Sequence, residues 1–92
     1  MVKEVESSFI WDPQKEAESI KKHGIDFKTA INVFRDPQRK IIIDSKHSEQ
    51  EGRFFCIGKL GERIITVRFS IRAEKVRIIG AGYWRKGVKY YE

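Results

Sequence analysis

The chain has 92 residues, of which 40% are hydrophobic and 35% are charged. This length gives room for one domain, and the composition supports one modest core and excludes a disordered chain. Lysine and arginine together number 19 against 13 aspartate and glutamate residues, so the formal net charge is +6. Such an excess favours polyanionic partners, either nucleic acid or an acidic protein.

Cys56 is the only cysteine, so an internal disulfide is excluded. Its apolar neighbours Phe54, Phe55 and Ile57 indicate a buried thiol in a reducing compartment, and burial argues against a nucleophilic role. No charged, apolar, cleavable leader opens the chain, and its apolar runs are far too short to span a bilayer. We therefore expect a cytoplasmic protein without a membrane partner.

A short apolar segment, Phe9–Trp11, precedes the first predicted helix. Asp12 is suited to the N-cap position and Pro13 to the first helical position, where its missing N–H is not needed. The pattern predicts a helix from Pro13 to about His23, which Gly24 ends.

A second helix is predicted from about Phe27 to Phe34, with Asp26 as its cap. Its apolar residues recur at i, i+3, i+4 and i+7, the spacing of one buried helix face. They are Phe27, Ala30, Ile31 and Phe34. The pair Asp36-Pro37 ends this helix.

Beyond Pro37 the apolar period shortens to that of strands. The predicted strands are Lys40 to Asp44, Arg53 to Gly58, Ile64 to Arg72, and Val76 to Tyr83 or beyond. Short polar segments at 59–62 and 73–75 are typical of hairpin connections. The order predicts one α+β domain over residues 1–92, with two N-terminal helices packed on a four-stranded antiparallel sheet.

The last two predicted strands are rich in cations. Arg68 and Arg72 share one face of their strand because side chains alternate. In the next strand Arg77 and Tyr83 share a parity, and Arg85 follows. If the register brings these residues beside Arg68 and Arg72, three or four arginines line one open sheet face, but the sequence does not fix the register.

Two interpretations of these cations remain open. An antiparallel sheet often has one solvated face, where arginine and lysine only aid solubility. The arginines are, however, mixed with Thr66, Ser70, Tyr83 and Trp84. Together these residues offer phosphate ligands, hydroxyl donors and stacking surfaces suited to unpaired RNA.

Gly80-Ala-Gly82 lacks the longer glycine pattern of a dinucleotide-binding or phosphate-binding loop and lies late in a strand. The two glycines instead indicate a bulge or a close approach of another group.

The loop from Asp44 to Arg53 contains His47, Glu49 and Glu51. One histidine with scattered carboxylates lacks metal-ligand spacing, so we expect no metal or cofactor there. A solvated loop and acid–base chemistry both remain open.

These residues in combination resemble the BrnT family of bacterial toxins. The matching positions are Phe9–Lys15, Lys22–Phe27, Ala30, Val33, Phe34, Asp36, Asp44, His47, Glu51, Arg53, Gly58, Ser70–Arg72 and Arg77–Ile79. The resemblance implies a RelE-like fold and a ribonuclease toxin of a type II toxin–antitoxin module. It also implies a cognate BrnA-like, DNA-binding antitoxin that covers the basic surface and binds operator DNA with the toxin in the repressing complex.

Three features depart from the family pattern. Ser19 stands where Asn is common, and Gly80-Ala-Gly82 stands where the family has Ser-Ala-Arg. Either Arg85 replaces the missing arginine, or the chain belongs to a branch with weaker or different activity. The family's tail is often a charged helix, which we expect Gly87 to break in this chain.

A ribonuclease that uses no metal must align a ribose 2′-hydroxyl with the adjacent phosphate, stabilise the added charge and move two protons. The candidate catalytic residues are Arg68, Arg72, Arg77, Arg85, His47 and Glu51. The candidate RNA-binding residues are Lys15, Lys22, His23, Arg53, Tyr83 and Trp84. His47, Glu51, His23 and Lys22 all remain possible proton carriers. A nucleic-acid-binding module without turnover and a protein-docking module are the alternatives.

Overall fold

A five-stranded mixed sheet organises the chain in the computed structural model, which describes residues 8–47 and 51–92. Its strands are β1 (Phe9–Trp11), β2 (Lys40–Ile43), β3 (Arg53–Leu60), β4 (Arg63–Arg72) and β5 (Lys75–Gly82). Their order is β1-β5-β4-β3-β2, with β1 parallel to β5 and the other pairs antiparallel.

The α+β class and the four predicted strands β2 to β5 are therefore confirmed, but the all-antiparallel, four-stranded sheet is wrong. The extra strand is the apolar segment Phe9–Trp11, which pairs with Val76–Ile78. Three residues are too few to show an alternating pattern, so only the partner strand reveals this segment as a strand.

Three α-helices occur in the described ranges: α1 (Pro13–His23), α2 (Phe27–Ala30) and α3 (Arg85–Tyr91). None of them is long and apolar enough to cross a membrane. The predicted bounds of α1 are confirmed. The Asp12 carboxylate accepts from the Gln14 N–H at 2.9 Å, and Gly24, with φ 76°, donates its N–H to the Ile20 carbonyl.

The second predicted helix is only partly α-helical. Asp26 caps it by accepting from the Thr29 N–H at 2.9 Å, but α2 ends at Ala30 and continues as a 3₁₀ helix over Ile31–Arg35. Tighter winding changes the side-chain spacing toward three residues per turn. Val33 is consequently fully buried, whereas Phe34 is only partly buried.

The core lies between one face of the sheet and the segment that contains Ile25, α2 and the 3₁₀ helix. Phe27, Val33, Cys56 and Val67 are completely excluded from solvent there. The packing of the 3₁₀ helix on β3 requires Gly58, because a Cβ at this position would lie 2.7 Å from the Val33 Cβ. The 3₁₀ helix thus packs directly on the backbone of β3.

A β-bulge in β5 changes which residues share that other face. Phe69 pairs with Ile78 but Arg68 pairs with Gly80, so Ile79 is an extra residue. Arg77 therefore lies beside Ser70, whereas Gly80 follows on the same face beside Arg68. The expectation that Arg77 and Tyr83 lie on the same face of the sheet is wrong, because the bulge between them reverses the alternation of side chains.

The expectation that Gly87 breaks the C-terminal helix is also wrong. Gly87 is a buried residue of α3, which packs over one end of the sheet face opposite the core. Any Cβ at Gly87 would collide with the Thr66 Oγ1 atom. The glycine is therefore the contact point that lets α3 lie close to β4.

Candidate nucleic-acid interface

The part of this second sheet face that α3 leaves free carries five of the twelve residues predicted for the site. We call it the open face. Its residues are Arg53 and Phe55 on β3, Arg68, Ser70 and Arg72 on β4, and Arg77 on β5, with Glu51 just before β3. The register thus brings the arginines of three strands together, which alternation within each strand did not determine.

A carboxylate lies between two of these arginines. Glu51 Oε1 is 3.1 Å from Arg72 Nη2, and Glu51 Oε2 is 3.9 Å from Arg77 Nη1. The Arg72 side chain is 59% exposed and the other two are about a quarter exposed. Solvent-exposed ion pairs contribute little to stability. An anionic ligand can therefore replace the carboxylate on the exposed Arg72 guanidinium at small energetic expense.

Two buried hydroxyl groups lie along β4 on the same side. Ser70 is completely buried and Thr66 is 4% exposed. Within the described ranges, neither hydroxyl has a hydrogen-bond partner, and the same is true of Arg68 Nε. Unsatisfied buried polar atoms are uncommon and are concentrated at functional sites. Ser70 is placed in register between Arg53 and Arg77, in the centre of the cations.

Two aromatic rings hold Arg68 in place. Its guanidinium carbon is 5.9 Å from the centroids of both the Phe55 and the Trp84 rings. Trp84 also makes an edge contact with the His23 ring at 5.5 Å. Phe55 was absent from the predicted site, although strand alternation opposite the buried Cys56 is the signal that places it on this face.

A cavity of about 230 Å³ lies beside Arg68, between α1 and β5. Lys15, Lys22 and His23 line it from α1, and Trp84 lines it from the far side. The structure therefore brings these three α1 residues, predicted to contact RNA, to Arg68. The helix periodicity places Lys15 and Lys22 two turns apart on one face of α1.

Arg85 lies on the other side of Trp84. It is the first residue of α3 and lines a cleft of about 290 Å³ that also contacts Phe55, Arg68 and Trp84. Arg68 and Trp84 line both cavities. A single arginine–tryptophan pair therefore separates two adjoining recesses.

Tyr83 is separate from the open face. Arg63 Nη1 donates to the Tyr83 hydroxyl at 3.3 Å, and the Arg63 guanidinium carbon is 5.4 Å from the tyrosine ring centroid. Both residues line a cleft with Ile25, on the helix side of the sheet. The bulge in β5 explains this position, which leaves the Phe55 and Trp84 rings, rather than Tyr83, beside Arg68.

The loop after β2 is described only in part. His47 ends a 3₁₀ turn over Ser45–His47, but its side chain and Glu49 lie outside the described residues. In the ranges that the structure covers, no three His, Cys, Asp or Glu side chains form a group that could hold a metal ion. Glu51, at the end of this loop, contacts two arginines of the open face.

Cys56 lies on the core face of β3 and is fully buried. Burial raises the pKa of the Cys56 thiol to about 12. The thiol is therefore protonated at neutral pH and has no access to a substrate. Its structural role agrees with the sequence prediction.

Comparison with known proteins gives one family. Residues 11–87 match the family described as "Ribonuclease toxin, BrnT, of type II toxin-antitoxin system". No curated protein matches the chain significantly. The matched range includes α1, the whole of β2 to β5 and the first turn of α3, and so spans nearly all of the open face. The chain therefore belongs to the BrnT family of ribonuclease toxins of type II toxin–antitoxin systems.

Proposed function

We propose that this chain is an endoribonuclease that cleaves RNA on its open face by a metal-independent reaction. The observation that carries the proposal is the Glu51 carboxylate between Arg72 and Arg77, next to the buried Ser70 hydroxyl. A carboxylate can accept the 2′-hydroxyl proton and guanidiniums can bind the phosphate, which are two of the functions that RNA transesterification needs. Membership of a ribonuclease toxin family supports the same reaction class.

In the proposed reaction, the ribose 2′-oxygen attacks the adjacent phosphorus and the bond to the 5′-oxygen of the next nucleotide breaks. The products are a 2′,3′-cyclic phosphate and a 5′-hydroxyl. Glu51 accepts the 2′-hydroxyl proton, while Arg72 and Arg77 stabilise the negative charge that develops on the phosphate. The proton for the leaving oxygen comes from a second group, for which His47, His23 and Lys22 are the candidates.

The remaining residues bind the RNA on either side of the cleaved bond. Trp84 and Phe55 offer ring surfaces for bases, and stacking of this kind tolerates any base. Arg68 and Arg85 flank Trp84 and supply positive charge for phosphates. Arg53 lies next to Ser70 in register and extends the cationic surface toward β3.

A cognate antitoxin is the proposed protein partner, because membership of a type II family implies one. We propose that it covers the open face, because the chain has a net charge of +6 and arginines of three strands meet on this face, which favours acidic segments. That this antitoxin is BrnA-like and carries the complex to operator DNA remains a prediction from the family resemblance, as does the RelE-like fold.

Cleavage of a defined single-stranded RNA by the purified chain, with and without a chelator, tests the proposed activity. We expect chelator-resistant cleavage that yields cyclic phosphate ends. Arg72→Ala and Arg77→Ala should each reduce the rate by about 10²–10³, the usual effect of removing one charge-stabilising donor. Arg35→Ala is the matched control, because Arg35 is an exposed cation of the 3₁₀ helix after α2 and is not part of the open face.

The alternative functions give different results in the same assay. A binding module without turnover would retain salt-sensitive affinity for RNA but cut none, even with ribosomes present. A protein-docking module would neither bind nor cut RNA. Either result would refute the proposed ribonuclease, provided that the purified chain is folded.

A further inference from the structure

We propose that the cavity between α1 and β5 is a nucleotide subsite that binds the next phosphate of the RNA, one step from the cleaved bond, together with its base. The inference rests on the proposed function and extends it, because it separates a binding subsite around Gly80 from the reacting group around Glu51. Its basis is the shape of the cavity, the rigidity of its walls and the placement of its charges.

Gly80 leaves space in the cavity that a large side chain would occupy. Gly80 forms part of the cavity wall beside Arg68 and Ile79, and a Cβ built on it meets no atom within 4 Å. Its φ angle is not in the left-handed region, so the backbone does not require glycine. Packing and conformation thus leave position 80 free for a larger residue, and the space is open to a ligand instead.

The walls of the cavity are fixed by direct contacts between α1 and β5. The Ser19 hydroxyl donates to the Ala81 carbonyl, and the Ala81 N–H donates to the Ser19 Oγ, both at 3.2 Å. Gly82 allows the His23 ring to approach, since a Cβ there would lie 3.1 Å from the ring. Both walls are therefore held in position before a ligand arrives, which lowers the entropy lost on binding.

The charges around the cavity favour an anion. Three cations, Lys15, Lys22 and Arg68, line it against one carboxylate, Glu18. Arg68 Nε is buried and, among the described residues, has no hydrogen-bond partner. The ring of Trp84 borders the same space. A phosphate with a base attached matches both the cations and the aromatic surface.

The spacing along β4 places this cavity about one nucleotide from the reacting group. Ser70 and Arg68 are two residues apart on the same face, which corresponds to about 7 Å along a strand. The Glu51 cluster lies at the Ser70 end, and the cavity lies at the Arg68 end. An extended RNA strand running along β4 therefore presents successive phosphates to the two sites.

Substrate length provides the first test. Gly80→Leu fills the cavity, whereas Gly80→Ala adds only one methyl group in open space and serves as the control. For a tetranucleotide, we expect Gly80→Leu to lower kcat/KM about tenfold or more through KM, with Gly80→Ala close to the native value. A dinucleotide with a single phosphate should be cleaved equally by all three proteins. An equal effect on both substrates, or on neither, would overturn the proposal.

Binding provides a second test that does not depend on cleavage. A tetranucleotide with 2′-methoxy groups at every ribose cannot be cut, so its Kd reports binding without cleavage, and the change in Kd caused by variants of the cavity reports the subsite. We expect Lys22→Gln to weaken binding and to reduce the slope of log Kd against log salt concentration by about one, because one fewer counterion is released. Glu18→Gln should strengthen binding. Unchanged affinity in Gly80→Leu, Lys22→Gln and Glu18→Gln, with melting temperatures like the native one, would refute the subsite. If the native chain does not cleave RNA but the variants change its affinity as expected, the proposed activity is refuted and the subsite is not.

Discussion

The substitution Gly87→Ala distinguishes two opposite roles for this glycine. If Gly87 only weakens a surface helix, replacing it with alanine should stabilise the protein by about 1 kcal/mol, the difference in helix propensity. In the structure, however, the added Cβ collides with Thr66 Oγ1 and also comes within 3.5 Å of the Thr66 Cβ. The two roles therefore predict changes in stability of opposite sign.

The size of the clash follows from how little Thr66 can move. Thr66 is 4% exposed in the central strand β4, and its β-branched side chain has few alternative rotamers. Overpacking of this kind costs about 1–3 kcal/mol. After the gain in helix propensity is subtracted, we expect a net loss of about 1 kcal/mol, which lowers the melting temperature by about 4–8 °C in a domain of this size.

Thermal unfolding of Gly87→Ala, Thr66→Ala and the double variant measures this contact. Thr66→Ala removes the atom that collides, and its Oγ1 has no hydrogen-bond partner in the described ranges that would be lost. The double variant should therefore be more stable than the sum of the single effects predicts, by about 1 kcal/mol or more. A rise in melting temperature for Gly87→Ala, or additive effects in the cycle, would refute the close packing of α3 on β4.

Three further predictions concern other contacts. Ser19→Ala removes both hydrogen bonds to Ala81 and should lower the free energy of unfolding, measured by urea titration, by about 1–3 kcal/mol. An unchanged free energy of unfolding would show that these hydrogen bonds do not hold α1 to β5. The Tyr91 hydroxyl donates to Asp36 at 2.7 Å, a bond that lowers the pKa of Asp36 and raises the pKa of Tyr91. The native protein should therefore be more stable than Tyr91→Phe between pH 3.8 and pH 10.0, the ordinary pKa values of aspartate and tyrosine. This difference in the free energy of unfolding should disappear as the pH falls further below 3.8 or rises well above 10.0; a difference that does not change with pH would contradict the prediction. Trp84→Ala should weaken RNA binding by about tenfold, as judged by fluorescence anisotropy, and unaltered affinity would exclude stacking on this ring.

Features of the fold that depend on neighbouring residues in the sequence were predictable. The caps at Asp12, Gly24 and Asp26 are local hydrogen bonds or backbone conformations, and each is present in the structure. Strands β2 to β5 follow from alternation over several residues, which their length makes visible. The site was predictable to the same extent, because alternation alone places Arg68 and Arg72 on one face.

Features that depend on distant residues were not predictable. Phe9–Trp11 becomes a strand because it pairs with β5. Gly87 is needed within α3 because this helix packs directly on Thr66, with which any Cβ at position 87 would collide. Glu51 likewise meets Arg72 and Arg77 through the fold of a loop whose spacing carries no specific signal. In each case tertiary contacts decide the outcome, and local propensity contains no information about them.

The bulge at Ile79 determines which residues of β5 face the proposed site. If Ile79 were paired regularly, without a bulge, it would lie opposite Arg68 on the open face and Gly80 would turn toward the core. With the bulge, Arg77 remains beside Ser70 while Gly80 leaves a cavity beside Arg68. The bulge therefore allows this sequence to supply both an arginine to the proposed reacting group and a glycine to the wall of the proposed subsite. Bulges are concentrated next to active sites for this reason, since they redirect side chains without breaking the sheet.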